Sequence, residues 1–291
     1  MLGSSGYIGG RVSRTLESNG ITVDKLFRCD KTNPFLFYLL RGGARFTRDI
    51  RKLEYDIDER QYDFVLNFAA NVSKEQDPAT ASELVVANSL LCGVLGSHLQ
   101  NQATKLIHIG TYSHKSDKKE YEPQTFYAAT KKAGEDFLEY FSSDSPASTT
   151  VLHLYDVYGP AQPHKRLINQ LVSDIKQGNE ILLSPGEQEF TPVFVEDIEE
   201  LVRQVVIEWS SDDFKQFQKF DVYGPETFKV KELPFVVASA LGRTLAEEKV
   251  IHSRGYRPRE IMKFNPCHEL PPYRGKWTRL SAGIQKVDRA R

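Results

Sequence analysis

The sequence is poor in the residues from which crosslinked and metal-built proteins are made. Only three cysteines, Cys29, Cys92 and Cys267, occur in 291 residues, far apart and without a CxxC pair. That spacing excludes a disulfide scaffold and a zinc site on paired thiols, and it suits a reducing compartment. Charge of one sign is lacking too: 38 Lys plus Arg stand against 39 Asp plus Glu, a formal net charge of -1. No overall field therefore draws the chain to nucleic acid or to an anionic bilayer. The longest apolar run near the N-terminus, "FLFYLL" at Phe35 to Leu40, is far below the roughly 20 residues that span a membrane. No basic stretch leads into an apolar one, so nothing reads as a signal peptide. These absences point to a cytoplasmic protein that engages neither membrane nor nucleic acid.

What is present is ordinary globular material. With 40% hydrophobic and 26% charged residues the chain can bury a sizeable core, and its length suits one large domain or a large domain carrying a smaller one. Short apolar strands alternate with helical patterns through the first half, the sign of βαβ units and a parallel sheet. The strand candidates are Ile21 to Phe27, Asp63 to Ala70, Lys105 to Thr111 and Thr149 to Gly159. Between them, "SELVVANSLLCGVLGSHLQ" and "AATKKAGEDFLEYF" carry apolar residues at three- and four-residue intervals. After Gly159 the alternation stops. The expected organisation is a dinucleotide-binding domain over residues 1–160 and a smaller C-terminal lobe over 161–291, the chain returning to the sheet near 190–225.

The chain opens "MLGSSGYIGG", with Gly3, Gly6 and Gly9 three apart. Glycines so spaced permit a tight turn, close approach of backbone to a pyrophosphate, and phosphate charge held at a helix N-terminus. The spacing is GxxGxxG rather than GxGxxG, and a flexible end is the competing reading. The amphipathic "RVSRTLESNG" and the strand that follow favour the turn. Only Met1 and Leu2 precede it, where a buried first strand would be expected. That strand looks truncated, as if the start lay a few residues late; otherwise cofactor binding and stability would be weak. The next strand ends "LFRCDK", with Arg28 where an acidic residue would bind the ribose hydroxyl. An arginine there accommodates a 2′-phosphate and favours NADP. If Arg28 is only a solvated strand-end charge, Asp30 takes the ribose and the cofactor is NAD.

"FYAATKK" places Tyr127 and Lys131 four apart at the start of a helical stretch, on one face. A buried cation beside a phenol favours the phenolate, and such a tyrosine exchanges a proton with a carbonyl or an alcohol. A surface pair is the competing reading. The position after a strand ending "IGTYS" favours the chemical one.

At these residues the chain resembles the extended short-chain dehydrogenase/reductase family, whose members include nucleotide-sugar epimerases, dehydratases and ketoreductases. The likeness covers nearly the whole chain. "GSSGYIGG" resembles the family's glycine motif, "RDI" at Arg48 to Ile50 its adenine-side acidic turn, and "LNFAANVS" its fourth strand and following turn. Asn88 matches the active-site asparagine, "YAATK" the YxxxK pair and "YDVYGP" the nicotinamide-side turn, while "SPGEQEFTPVFVEDIEELV" and "LPPYRGKWTRLSAGIQK" look like its substrate-lobe segments. The resemblance implies a Rossmann-type doubly wound parallel α/β sheet with a smaller C-terminal substrate-binding lobe, and a homodimer. It implies cofactor contacts at Gly3, Gly6, Tyr7, Ile8, Gly9, Arg28, Asp49, Ile50, Phe68, Ala69, Ala70, Tyr127, Lys131, Tyr155 and Val157. By the same resemblance Tyr127 is the proton donor or acceptor and Lys131 binds the nicotinamide ribose. Thr111 bonds the reacting oxygen, and Asn88 holds a water near Lys131. For Thr111 alone a strand-end hydroxyl, and for Asn88 a helix irregularity, are the competing readings.

Dehydratases of this kind carry an Asp-Glu pair after the threonine; here Tyr112 and Ser113 stand there, which argues against dehydration. The set of "GT", "YAATK", "DVYGP" and "SPGEQ" looks most like sugar 4-ketoreductases. Together with Arg28 it implies NADPH-dependent reduction of a nucleotide-linked 4-keto-6-deoxy or 3,6-dideoxy sugar. The alternative is an NAD-dependent nucleotide-sugar epimerase, and beyond it a non-catalytic dinucleotide-binding regulator. Substrate contacts are expected from Thr111, Tyr112, Ser113, Asp156, Lys165, Arg166 and Arg254, with solvated surface as the competing reading for the basic ones. Glu189 stands where many relatives have a phosphate-binding arginine, which leaves the nucleotide open. His108 and His153 read as core residues, and no metal is expected.

Overall fold

The computed structural model describes residues 1–28, 36–42, 44–49, 51, 62–73, 77–117 and 119–290. Cys29, Asp30 and Ile50 lie outside them. Two compact units interleave along the chain: residues 1–114, 125–153 and 199–220 form the first, and 115–124, 154–198 and 221–291 the second.

The first unit is built on strands that run as the apolar segments suggest. β4 (Phe64–Asn67) and β5 (Lys105–Thr111) pair in parallel, and β6 (Ser148–Leu154) and β11 (Phe217–Val222) extend the same sheet in the order β11-β6-β5-β4. Leu2, 1% exposed, supplies the place beside β4. It donates its N–H to the Leu66 carbonyl at 2.8 Å and accepts from the Phe68 N–H at 3.0 Å, while the Met1 carbonyl accepts from Leu26 at 2.8 Å. Backbone groups of Leu26 in β1 (Lys25–Arg28) and Leu66 in β4 thus find partners in these two residues.

Beyond β1 the expected βαβ alternation is not followed among the described residues. β2 (Leu36–Arg41) and β3 (Ala44–Asp49) continue antiparallel, as a meander β1-β2-β3. The described part of "FLFYLL", from Leu36 onward, is therefore a strand, with Phe37 and Leu39 buried two apart as the pleat requires. "RDI" begins inside β3 rather than in a turn. The strand expected over Ile21 to Phe27 is shorter, starting at Lys25.

Helices cover this sheet. α1 (Tyr7–Ser18) buries Val12 and Leu16; a continuous helical stretch runs from α2 (Pro78–Val85) through a π-helical segment, Val86–Leu90, into α3 (Leu91–Leu99); α4 (Phe126–Ser142) packs on α3. Pro78–Leu99 is long and apolar enough by composition to cross a membrane, but Leu84, Leu91, Cys92, Leu95 and Leu99 are all buried within the unit. Gly96 and Gly134 allow the close approach, because a Cβ at Gly134 would meet the Asn88 carbonyl at 2.1 Å and one at Gly96 the Phe141 ring at 2.6 Å.

The second unit packs α5 (Leu167–Gln177), α7 (Leu233–Ala240) and α8 (Leu280–Arg289) around Tyr158, Phe194, Leu233 and Ile284. Short strand pairs, such as β7 (Val157–Tyr158) with β10 (Val193–Phe194), brace its loops. α6 (Val195–Ile207) opens with Glu196 and Asp197 in its first turn, the helix expected at "EDIEE".

Candidate functional site

At the N-terminus of α1 the glycines form a cradle. Gly3 has φ +76°, and a Cβ there would fall 2.4 Å from the Phe68 carbonyl carbon and 2.5 Å from the Ala69 nitrogen; one on Gly9 would fall 2.3 Å from the Gly3 oxygen. Gly6 is the N-cap, no side chain caps the helix, and its first turn, with Tyr7 and Ile8, carries no acid. The helix end is thus left to bind an anion through backbone N–H groups and the helix dipole. The Ser4 hydroxyl is buried without a hydrogen-bond partner among the described residues. A dinucleotide's pyrophosphate fits these features: its oxygens suit an orphaned donor beside an uncapped helix N-terminus. Phe68, Ala69 and Ala70 follow β4 directly, the first two against this turn. Arg28 ends β1 and is exposed; Asp49 ends β3, its carboxylate accepting from the Arg51 backbone at 3.0 Å and side chain at 2.9 Å.

α4 carries the Tyr-Lys pair one turn apart, and Thr125 caps it by accepting from the Ala128 N–H at 3.2 Å. Lys131 is 2% exposed, with Nζ 3.3 Å from His108 Nε2 on β5. Burial pulls its ammonium below the ordinary lysine range, against the opposing pull of Cys92 and Glu135. Burial and the neighbouring Lys131 hold His108 far below its usual value, so it stays neutral. Asn67 closes this group, 3.1 Å from His108 Nδ1.

Asn88 sits within the π-helical segment, fully buried. Its amide oxygen accepts from Asn71 N–H at 2.9 Å, and its amide nitrogen donates to the Asn71 carbonyl and to Thr130 Oγ1, each at 3.0 Å. Thr130 in turn donates to the Tyr127 carbonyl at 2.9 Å. Asn88 is thus both the helix irregularity and a strut that fixes α4 beneath Tyr127. At the end of β5, Thr111 Oγ1 and Ser113 Oγ share a hydrogen bond of 2.9 Å, with Tyr112 between them half-buried.

His153 reads as core filling in the sequence, but the structure gives it a partner. Its Nε2 lies 2.7 Å from Glu135 Oε2, and the His114 ring packs 4.9 Å away. Burial pushes the Glu135 carboxyl upward, but the His153 bond and Lys132 and Lys219 outweigh it and hold the group well below the carboxylate range. His114 is lowered to about 4, by burial first and then by His153. Its folded value lies below the unfolded value near 6.5, so its stabilising effect is present above that pH and is lost as pH falls toward the folded value. Thermal melts should therefore lose on the order of 3 kcal/mol between neutral pH and pH near 4 through His114. His114→Gln should flatten that slope, and an unchanged slope would count against the assignment.

The other sequence-selected positions lie in the second unit. Tyr155 is buried, its hydroxyl accepting from Lys115 Nζ at 3.0 Å, with Tyr223 and Phe264 around its ring. The Asp156 carbonyl accepts from the Val193 N–H at 3.0 Å, beside Val157 on β7. Lys165, Arg166 and Arg254 are exposed. Glu189 has a structural role, since its carboxylate accepts from the Phe264 N–H at 2.7 Å, a bond an arginine side chain could not accept. Neither the Lys131–His108 contact nor the Asn88 strut has a local sequence signal, because each joins segments far apart in the chain.

A dinucleotide-binding α/β fold with a glycine cradle and a helix-borne Tyr-Lys pair defines a nicotinamide-dependent class of enzyme. A profile of the NAD dependent epimerase/dehydratase family matches residues 1–215, and the chain belongs to that family. CDP-abequose synthase of Yersinia pseudotuberculosis is 23% identical over 238 residues, which cover 80% of this chain and 81% of the relative. Among solved structures, UDP-glucose 4-epimerase of Thermotoga maritima with UDP-glucose superposes with a TM-score of 0.74 at 18% identity, covering 99% of this chain and 96% of that one. UDP-glucuronic acid 4-epimerase of Bacillus cereus, in complex with UDP-glucuronic acid and NAD, gives 0.76 at 16% identity, covering 99% and 97%. At these identities the solved structures bear on the fold. The protein is an NAD(P)-dependent oxidoreductase-type enzyme of the epimerase/dehydratase family.

Proposed function

We propose that the protein reduces the 4-keto group of a nucleotide-linked 4-keto-6-deoxy or 3,6-dideoxy sugar with NADPH. The observation that carries this reading is Arg28, exposed at the end of β1 where a ribose-binding acid would stand, in a chain that retains Tyr127 and Lys131. Similarity to CDP-abequose synthase supports the deoxysugar class. Gly3, Gly6, Tyr7, Ile8 and Gly9 would hold the pyrophosphate, with Asp49, Phe68, Ala69 and Ala70 along the adenosine side and Tyr155 and Val157 at the nicotinamide side. Bound there, the cofactor supplies the hydride.

This chain's residues then handle the proton. Tyr127 donates its phenolic proton to the oxygen of the reduced carbonyl, and Lys131 favours the resulting phenolate and holds the nicotinamide ribose. Thr111 donates a hydrogen bond to the same oxygen, and Asn88 keeps α4 and its water in place. Tyr112 and Ser113 border the sugar, while Asp156, Lys165, Arg166 and Arg254 of the second unit take the diphosphate side; the three basic residues are exposed and hold no ion pair among the described residues. This chemistry calls for no metal. The enzyme works in the cytoplasm as a homodimer through the helical stretch 78–99 and α4, which expose Val85, Leu90, Phe137 and Tyr140. Sedimentation at the mass of two chains supports that assembly, and sedimentation at 33.1 kDa overturns it.

The test is a panel of CDP-, dTDP-, UDP- and GDP-linked 4-keto-6-deoxy sugars offered with NADPH. Loss of the reduced nicotinamide's near-ultraviolet absorbance with one of them is expected and names the nucleotide. Interconversion of two sugar epimers with no net cofactor consumption would instead identify an NAD-dependent epimerase.

A further inference from the structure

The second unit contains a buried lysine that the proposed reaction does not use. Lys115 is 5% exposed. Its Nζ donates to Tyr155 Oη at 3.0 Å and to the Asn265 carbonyl, and it lies 3.8 Å from Asp221 Oδ2 and 3.4 Å from Cys267 Sγ. Unlike Cys92, which is buried and pushed up to about 11 by that burial, Cys267 is exposed. A soluble oxidant therefore has access to its sulfur, while the amine waits on the protein side.

Both partners are held in register. Asp221 Oδ2 accepts from the Cys267 N–H at 2.7 Å and the His268 N–H at 3.2 Å, which fixes the cysteine backbone beside the lysine. Asp117 and Pro123 tie to the same stretch at two further places. The Asp117 carboxylate accepts from Met262 N–H at 3.0 Å and Lys263 N–H at 3.1 Å, and Arg259 donates to the Pro123 carbonyl at 3.1 Å. Little movement separates the contact from a bond.

We infer that Lys115 and Cys267 form an oxidant-driven covalent crosslink between Nζ and Sγ. A peroxide oxidises the Cys267 thiol to a sulfenic acid and is itself reduced to water or an alcohol. The Lys115 ammonium yields a proton to Asp221, and the neutral amine attacks the sulfenic sulfur. The S–N bond forms as the S–O bond breaks, and the hydroxyl leaves as water with the amine's second proton. A second peroxide inserts one oxygen to give S–O–N and is reduced in turn. A thiol reductant reverses either link. The crosslink closes a loop between residues 152 apart, which constrains the unfolded chain and raises the melting temperature. Its formation does not depend on which sugar the enzyme takes.

The experiment treats the full chain with hydrogen peroxide and reads intact mass, tryptic peptides and melting temperature. A linked peptide joining Lys115 to Cys267 is expected, lighter by about 2 Da or heavier by about 14 Da than the two parts, and lost on adding dithiothreitol. It should be absent in Cys267→Ser and in Lys115→Arg, a variant that keeps the buried cation opposite Asp221 but removes the reactive amine. The melting temperature should rise only where the link forms. Cys267 recovered unmodified, or as sulfinic or sulfonic acid with Lys115 still cleaved by trypsin, overturns the inference.

Discussion

Tyr127→Phe should lower turnover by about a thousandfold, within the range that a positioned general acid contributes, while leaving cofactor affinity within about twofold, because the lost hydroxyl serves the chemical step. The substitution is mild for the fold. Thr130 bonds the Tyr127 carbonyl, not its side chain, and the Thr125 cap and the Asn88 strut to Thr130 involve no phenolic oxygen. Single-turnover rates with NADPH and the active sugar, beside a cofactor titration, separate the two effects. Equal loss of affinity and rate would make Tyr127 a binding residue, and retention of rate would remove it from the chemistry.

Gly3→Ala should damage both stability and cofactor binding. A left-handed conformation costs an alanine about 1 kcal/mol, but the larger penalty is steric. The new Cβ would sit 2.4 Å from the Phe68 carbonyl carbon and 2.5 Å from the Ala69 nitrogen, both backbone atoms held by the sheet at the end of β4. We expect a loss of about 3 kcal/mol or more in unfolding free energy together with a loss of cofactor binding. Gly20 is the control: its φ of +81° is similar, but nothing lies within 4 Å of its Cβ position. Gly20→Ala should cost about 1 kcal/mol and leave binding intact. If the two variants melt alike, turn strain rather than the cradle governs Gly3.

Both predictions concern features that are legible in the residues, and for the same reason. A glycine turn and a Tyr-Lys pair are local: their meaning lies in spacings of three and four along one turn or one helix. The helices over "SELVVANSLLCGVLGSHLQ" and "LINQLVSDIKQG" are legible likewise from apolar period. What escapes is non-local. "FLFYLL" carries no helical or strand period strong enough to reveal an antiparallel meander in place of a crossover helix, because pairing partners, not residues, decide that. His108 and His153 sit on neighbouring strands, and the partners that give them roles, Lys131 and Glu135, lie together on α4. Glu189 looks like a missing arginine until the Phe264 N–H comes into view.

The late arrival of β11 bears on how the chain is made. The outer edge of β6, Ser148–Leu154, is covered by Phe217–Val222, a strand that follows it by more than sixty residues, after one stretch of the second unit has been threaded between them. During translation the apolar "TTVLHL" edge therefore emerges from the ribosome well before its neighbour exists, with its backbone donors and acceptors open to any other strand. A nascent chain stalled in that interval would be the form in greatest need of a chaperone.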